Sequence, residues 1–272
     1  MSRITNRFEH LKKQHRTALV TFITAGDPAP WVTVPLMHAM VQAGADILEL
    51  GVPFSDPMAE GPVIQRASER AVANGVSLRQ VLDMVTQFRK KDKDTPVILM
   101  GYLNPVEVMG YSVFAELAVS SGVDGVLTVD LPPEEASDLI DVLRKQALDP
   151  IFLLAPTSTT DRIQRVAAAA SGFIYYVSLR GVTGASHLDI NEVADKLKEI
   201  RQYSPLPLGV GFGIKDPQTA AQMASVADAV VVGSAIVDRM AKLLTEPERI
   251  NTEIGNFVAS LRAAIDHTGN TK

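Results

Sequence analysis

The chain has 272 residues, 46% apolar and 21% charged, with 26 Lys and Arg against 31 Asp and Glu for a net charge of −5, and no cysteine. The length is ample for a large core, the acidic balance argues against nucleic acid or an anionic membrane as partner, and the missing thiols exclude disulfides, thiol nucleophiles and Cys-ligated metal, as in a cytoplasmic protein. The short basic N-terminus lacks the apolar core of a signal peptide, and the longest apolar stretch, near 229–237, is too short to span a bilayer.

Ile4, Phe8 and Leu11 recur at helical spacing and predict a short amphipathic helix at the start. Eight aliphatic or β-branched runs follow: Leu19–Ile23, Ile47–Leu50, Val97–Met100, Gly125–Val129, Ile151–Leu154, Phe173–Val177, Leu208–Gly211 and Ala229–Val232. Their near-continuous apolar character marks parallel strands buried on both faces. Helix signals lie between them. Ser77 and Gln80 form an S-x-x-Q capping box. Pro132-Pro133-Glu134-Glu135 places prolines and acids at a helix start. Asp216-Pro217 reads as an N-cap followed by proline at the first helical position.

Eight strand–helix units in about 250 residues predict a (β/α)8 TIM barrel. It carries an N-terminal capping helix and extra helices in its βα loops, as one domain over residues 1–272. An open doubly wound sheet also alternates strands and helices, but the count of eight and the lack of G-x-G-x-x-G after the first strand favour the barrel. The gap between the second and third strands is the longest, with helical stretches near 63–74 and 78–91. It holds the loop of "ELGVPFSDPMAEGPVIQ", a stretch that runs from Glu49 at the end of the second strand to Gln65. Strand alternation turns Ile47, Glu49 and Gly51 to one face and Leu48 and Leu50 to the other. The leucines suit the helix layer, so Glu49 points into the barrel mouth. None of the eight predicted strands contains Lys or Arg, and Arg180 is the nearest, just beyond the sixth. An unpaired, desolvated carboxylate has a raised pKa, the state a general acid/base needs near neutrality. Asp56-Pro57 reads as a turn in which the Asp side chain bonds its own backbone, or as a partner contact. Glu60 precedes a helix start at Gly61-Pro62; periodicity leaves open whether it is a surface acid there or a site residue.

The seventh strand runs into Gly211-Phe212-Gly213-Ile214 and the eighth into Gly233-Ser234-Ala235. Glycine lets backbone N–H groups approach an anion, and barrels often bind phosphate in these two loops. Gly181-Val182-Thr183-Gly184 after the sixth strand can add donors. No metal-ligand cluster, no lysine at a strand end and no Ser-His-Asp order is present, which argues against metal, Schiff-base and serine-nucleophile chemistry. Phe22, Met100, Tyr102, Leu127, Tyr175 and Phe212 near strand ends suggest a substrate with a large apolar part as well as a phosphate.

"ELGVPFSDPMAEGPVIQ" resembles the signature of the tryptophan synthase alpha subunit family. "FITAGDP" (22–28), "GYLNP" (101–105), "VDLPPEE" (129–135), "GVTGA" (181–185), "GVGFGI" (209–214) and "VVGSAIV" (231–237) resemble its other motifs in order, over nearly the whole chain. The resemblance implies retro-aldol cleavage of indole-3-glycerol phosphate to indole and glyceraldehyde 3-phosphate. It implies Glu49 as the acid/base and Glu60 as the second carboxylate, on the indole N–H. Phe22, Ile64, Met100, Tyr102, Leu127, Tyr175 and Phe212 would surround the indole, and Gly184, Gly213, Gly233 and Ser234 would hold the phosphate. The loop around Thr183 would close over substrate. No cofactor is implied in this chain. A beta subunit carrying pyridoxal phosphate would complete an α2β2 assembly, with Phe54, Asp56, Pro57 and Met58 as the candidate contact surface and 101–110 beside it. Glu60 departs from the familiar A-D-G-P motif, which has Asp. Another phosphate-binding barrel enzyme of the same pathway, and a regulatory alpha-type subunit with weak catalysis, are the alternatives.

Overall fold

Eight strands close into a parallel barrel in chain order: β1 (Ala18–Thr24), β2 (Ile47–Gly51), β3 (Val97–Gly101), β4 (Gly125–Thr128), β5 (Asp149–Leu154), β6 (Ile174–Val177), β7 (Leu208–Gly211) and β8 (Ala229–Val232). The computed structural model describes residues 2–178, 190–211 and 213–269. Closure pairs Ala18 with Ala229, and Val20 with Val231, between the first and last strands. Each strand is only four to seven residues long, and nearly every strand residue is buried. This explains the uninterrupted apolar runs: both faces of each strand leave water.

Alternation splits the apolar residues into two cores. Val20, Ile47, Ile98, Ile151, Phe173 and Val231 fill the barrel interior. Leu19, Leu48, Leu50, Leu99 and Val210 belong to the layer between barrel and helices. The helices are α1 (Arg3–Lys13), α2 (Pro30–Gln42), α3 (Pro62–Ala73), α4 (Leu78–Arg89), α5 (Leu103–Met109), α6 (Tyr111–Ser121), α7 (Ser137–Lys145), α8 (Thr160–Ala169), α9 (Ile190–Arg201), α10 (Pro217–Ala224), α11 (Ser234–Ala241) and α12 (Ile250–Gly269). The second βα connection holds two of them, α3 and α4, as expected from its length. No described helix is long and apolar enough to cross a membrane.

The ends of the barrel differ in chemistry. At the N-terminal end, α1 plugs the interior with Ile4, Phe8 and Leu11, the Phe8 ring lying 5.7 Å from that of Phe173. Carboxylates ring this end and accept strand N–H groups: Asp46 from Leu19 (2.9 Å), Asp124 from Val97 (2.8 Å) and Asp228 from Leu208 (2.8 Å). Each is paired with an arginine: Arg262 at 2.9 Å, Arg89 at 2.8 Å and Arg201 at 2.9 Å. Buried Arg89 and Arg262, with the more exposed Arg201, therefore hold the base of the barrel, leaving its C-terminal mouth to other groups.

The helix signals hold at two of three places. Ser77 and Gln80 make the capping box of α4, and Asp216 caps α10 with Pro217 in its first turn. The third expectation is corrected. Pro132–Glu135 is a turn closed by Glu135 N–H on the Pro132 carbonyl at 3.0 Å, and α7 begins only at Ser137. Glu134 is spent instead on Arg162 at 2.6 Å, so it serves α8 rather than the start of α7.

Candidate active site

Glu49 sits near the C-terminal end of β2, inward as alternation requires, and is 1% exposed. Its Oε1 is buried without a hydrogen-bond partner among the described residues. Burial, and secondarily the charge of Glu60, push the Glu49 carboxyl up to about 8. In register beside it on β1 is Phe22, whose ring lies over Gly51: a Cβ there would stand 2.6 Å from Phe22 Cζ. Tyr175 projects from β6 across Gly211 of β7, where a Cβ would come 2.7 Å from the Tyr175 Cζ. The two glycines thus let two aromatic rings lie along the barrel mouth. Burial, reinforced by Glu49 and Glu60, raises the Tyr175 hydroxyl well above its usual value, so it is a neutral wall group.

Glu60 belongs to the loop between β2 and α3. Its N–H donates to the Pro57 carbonyl at 3.0 Å, and its own carbonyl accepts from Gln65 Nε2 at 2.9 Å. Ala59 N–H donates to the Tyr102 hydroxyl at 2.9 Å. Pinned on both sides, the Glu60 side chain turns inward rather than to the surface, and burial lifts its carboxyl to about 7. Two carboxyls thus face one cavity, both raised by burial, with the Glu60 charge adding to the rise at Glu49.

One cavity of about 420 Å³ gathers most of the candidate residues: Phe22, Glu49, Glu60, Ile64, Met100, Tyr175, Gly213, Gly233 and Ser234. Gly213 adopts φ +74°, which suits glycine. Gly233 is the N-cap of α11 and Ser234 its first residue, so the partly positive end of that helix meets the cavity. Among the described residues, no Lys or Arg lines it. The site therefore offers an anion neutral donors at one end and places carboxylates at the other.

Other expectations change. Tyr102 lines a neighbouring cavity of about 280 Å³ that shares Phe22, Glu60, Ile64 and Met100, and its hydroxyl holds the Glu60 loop. Leu127 lines neither of these cavities; it is 1% exposed and packs in the barrel interior, in register with Met100. Phe54 is not an exposed contact group. It is half-buried, stacked 5.2 Å from the Tyr102 ring, with its N–H and carbonyl both bonded to Ser68 Oγ. Asp56 accepts from Ser55 Oγ at 2.5 Å rather than from its own backbone. Asp56 is exposed, Met58 is 85% exposed, and Pro57 is half-buried. Thr183, Gly184 and Phe212 lie outside the described residues.

Sequence reasoning missed Thr24, Ser68, Ile214 and Val231 among the lining groups. Thr24 and Val231 carried a usable signal, each lying two residues beyond an inward-facing neighbour, Phe22 and Ala229. Thr24 Oγ1 is buried without a partner.

The family model described as "Tryptophan synthase alpha chain" matches residues 8–266. A tryptophan synthase alpha chain from Nitrosococcus oceani is 63% identical over 270 residues, covering 99% of this chain and all of that one. The alpha chain from Methylococcus capsulatus is 57% identical and covers 98% of this chain and all of its own. Among solved structures, tryptophan synthase subunit alpha from Legionella pneumophila superposes with a TM-score of 0.92 at 48% identity, covering 98% of this chain and 99% of that one. A chain of Mycobacterium tuberculosis tryptophan synthase gives 0.88 at 34% identity over 97% and 98%.

Proposed function

Because this chain belongs to the tryptophan synthase alpha chain family, we propose that Glu49 and Glu60 carry the family's reaction in the cavity at its barrel mouth. The chain is a carbon–carbon lyase that cleaves indole-3-glycerol phosphate into indole and glyceraldehyde 3-phosphate. The observation that carries the residue assignment is the unbonded, buried oxygen of Glu49 in a cavity that also holds Glu60 and ends at Gly233 and Ser234.

With its carboxyl raised to about 8, Glu49 holds a proton at neutral pH. It gives that proton to C3 of the indole ring, which makes the ring an iminium-like electron sink. Glu60, in its charged form, accepts a hydrogen bond from the ring N–H and stabilises the positive charge. The Glu49 carboxylate then takes the proton of the glycerol hydroxyl. The O–H electrons form the aldehyde, the C–C bond breaks, and its electron pair returns to the ring. Indole and aldehyde leave, and Glu49 ends protonated as it began. Gly213, Gly233 and Ser234 hold the phosphate, and Phe22, Ile64, Met100 and Tyr175 enclose the indole. Tyr102 serves mainly to hold the Glu60 loop.

Indole then passes to a beta subunit carrying pyridoxal phosphate, in an α2β2 assembly in the cytoplasm, and this chain takes no cofactor of its own. Met58 and Asp56, exposed beside the mouth, form part of the contact surface. The deciding experiment measures indole release by the purified chain, alone and with a beta subunit, beside Glu49→Gln and Glu60→Gln. Slow release alone, activation by the partner and loss in both variants support the assignment. Full kcat in Glu60→Gln would remove Glu60 from it.

A further inference from the structure

α3 completely buries only three side chains, Ala67, Ser68 and Ala71. Side chains this small give a helix little apolar area and little interlocking. Val63 and Ile64 of its first turn are partly buried against the barrel interior, and polar ties from both ends add to that packing in setting its rotation. In the first turn Gln65 Nε2 donates to the Glu60 carbonyl at 2.9 Å and to the Pro57 carbonyl at 3.4 Å. One turn later Ser68 Oγ bonds both backbone groups of Phe54. These contacts fix the segment that carries Glu60.

The opposite ties reach the segment that follows β1. Arg70 Nε and Nη2 donate to the two oxygens of Asp27 at 2.6 and 3.0 Å. Asn74 Nδ2, at the C-cap, donates to the Gly26 and Pro28 carbonyls at 3.2 and 2.7 Å. Asp27 is 1% exposed, and Gly26 N–H is in turn held by Thr33 Oγ1 of α2 at 2.9 Å. A guanidinium fork on a carboxylate sets orientation as well as distance. Neither Asp27 nor Arg70 lines the cavities of the site.

We infer that the Asp27–Arg70 pair is a positioning device for the lyase reaction: it sets α3 against the end of β1, and through Gln65 and Ser68 it sets the Glu60 carboxylate opposite the indole nitrogen. This rests on the assignment of Glu60 above. A displacement of about 1 Å at a reacting group can cost roughly two orders of magnitude in rate, so modest slackening of α3 is visible in turnover.

The test is a double-mutant cycle between Arg70→Lys and Glu60→Gln, with kcat and KM for indole-3-glycerol phosphate and the melting temperature read for each chain, with and without saturating beta subunit. Arg70→Lys keeps the charge beside buried Asp27 but loses the fork. The expected result is a fall in kcat of about tenfold, a smaller change in KM, and less than about a twofold further effect in the Glu60→Gln background. The doubly neutral Asp27→Asn/Arg70→Gln chain, which leaves no buried charge unpaired, is expected to repeat the loss of kcat. Arg262→Lys, which loosens the Asp46 pair at the other end of the barrel, is the control for general destabilisation and is expected to keep wild-type kcat. Wild-type kcat in Arg70→Lys, or a tenfold loss that persists undiminished without the Glu60 carboxylate, overturns the inference while leaving Glu60 in place. Full kcat in Glu60→Gln alone overturns the Glu60 assignment, and this inference with it.

Discussion

Replacing Glu49 by Gln should make the fold more stable, and increasingly so as pH rises. The carboxyl is raised from 4.5 to about 8 by burial first and by Glu60 second. Between those two values the unfolded chain has released this proton while the folded chain retains it. Stability therefore falls with rising pH across the window. At one pKa unit per 1.36 kcal/mol, the cost to the fold is about 1 kcal/mol at pH 5, about 3 at pH 7 and about 5 at pH 9. Gln has no such titration and fills the same space. The assay is urea unfolding of the wild type and of Glu49→Gln at pH 5, 7 and 9. Taking the difference between chains, then its change with pH, removes the fixed effect of the amide and the titration of all other groups not coupled to Glu49. The gain from Gln should grow by roughly 3–4 kcal/mol from pH 5 to pH 9. A difference that stays constant within about 1 kcal/mol would mean that Glu49 is not held protonated by its surroundings, and the proton-donor role would lose its physical basis.

Other outcomes follow from the same geometry. The pH profile of kcat/KM should be bell-shaped, falling below about 7 as Glu60 loses its charge and above about 8 as Glu49 loses its proton; residual activity in Glu60→Gln should show the upper limb moved down, because a like charge is gone, and an unmoved limb contradicts the coupling. Gly211→Ala puts a methyl 2.7 Å from Tyr175 Cζ, so kcat/KM should drop by about tenfold or more as the ring is pushed into the cavity; unchanged kinetics would show that the ring has room to move. Asp56→Lys at the exposed loop should leave the activity of the chain alone intact and weaken its activation by a beta subunit, read from titration curves.

Much of this architecture is legible in residue order, and the reasons are physical. Parallel strands buried on both faces announce themselves as aliphatic runs, so all eight are found to within two residues at each end. The inward, buried position of Glu49 is legible because strand alternation sets its face and no cation shares the predicted strands. The glycines before Ile214 and Ser234 are legible as the places where the seventh and eighth aliphatic runs give way to turn and helix start. Glu60 is not, since its inward turn depends on Tyr102 and Gln65, which reach it from β3's end and from α3. Phe54 looks exposed in sequence because nothing local reveals that Tyr102 will stack on it. Pro132 and Pro133 look like a helix start because proline serves turns and first helical turns equally well, and only the bond to Glu135 N–H decides. The Asp27–Arg70 pair joins residues on different elements, and no periodicity connects them.

The plug of the barrel has a consequence for how the protein is made. Ile4, Phe8 and Leu11 leave the ribosome before any strand of the barrel, yet the interior they fill is complete only when β8 has paired with β1. Almost the whole chain must therefore be synthesised before its opening helix has a permanent home. Loop-closure entropy makes that final pairing a late event. Until then the apolar face of α1 is available to chaperones, to the surface of half-formed sheet, or to other nascent chains. A ribosome stalled before Ala229 holds an open curl of strands with exposed edges rather than a smaller barrel, so premature truncation should yield insoluble fragments instead of weakened enzyme.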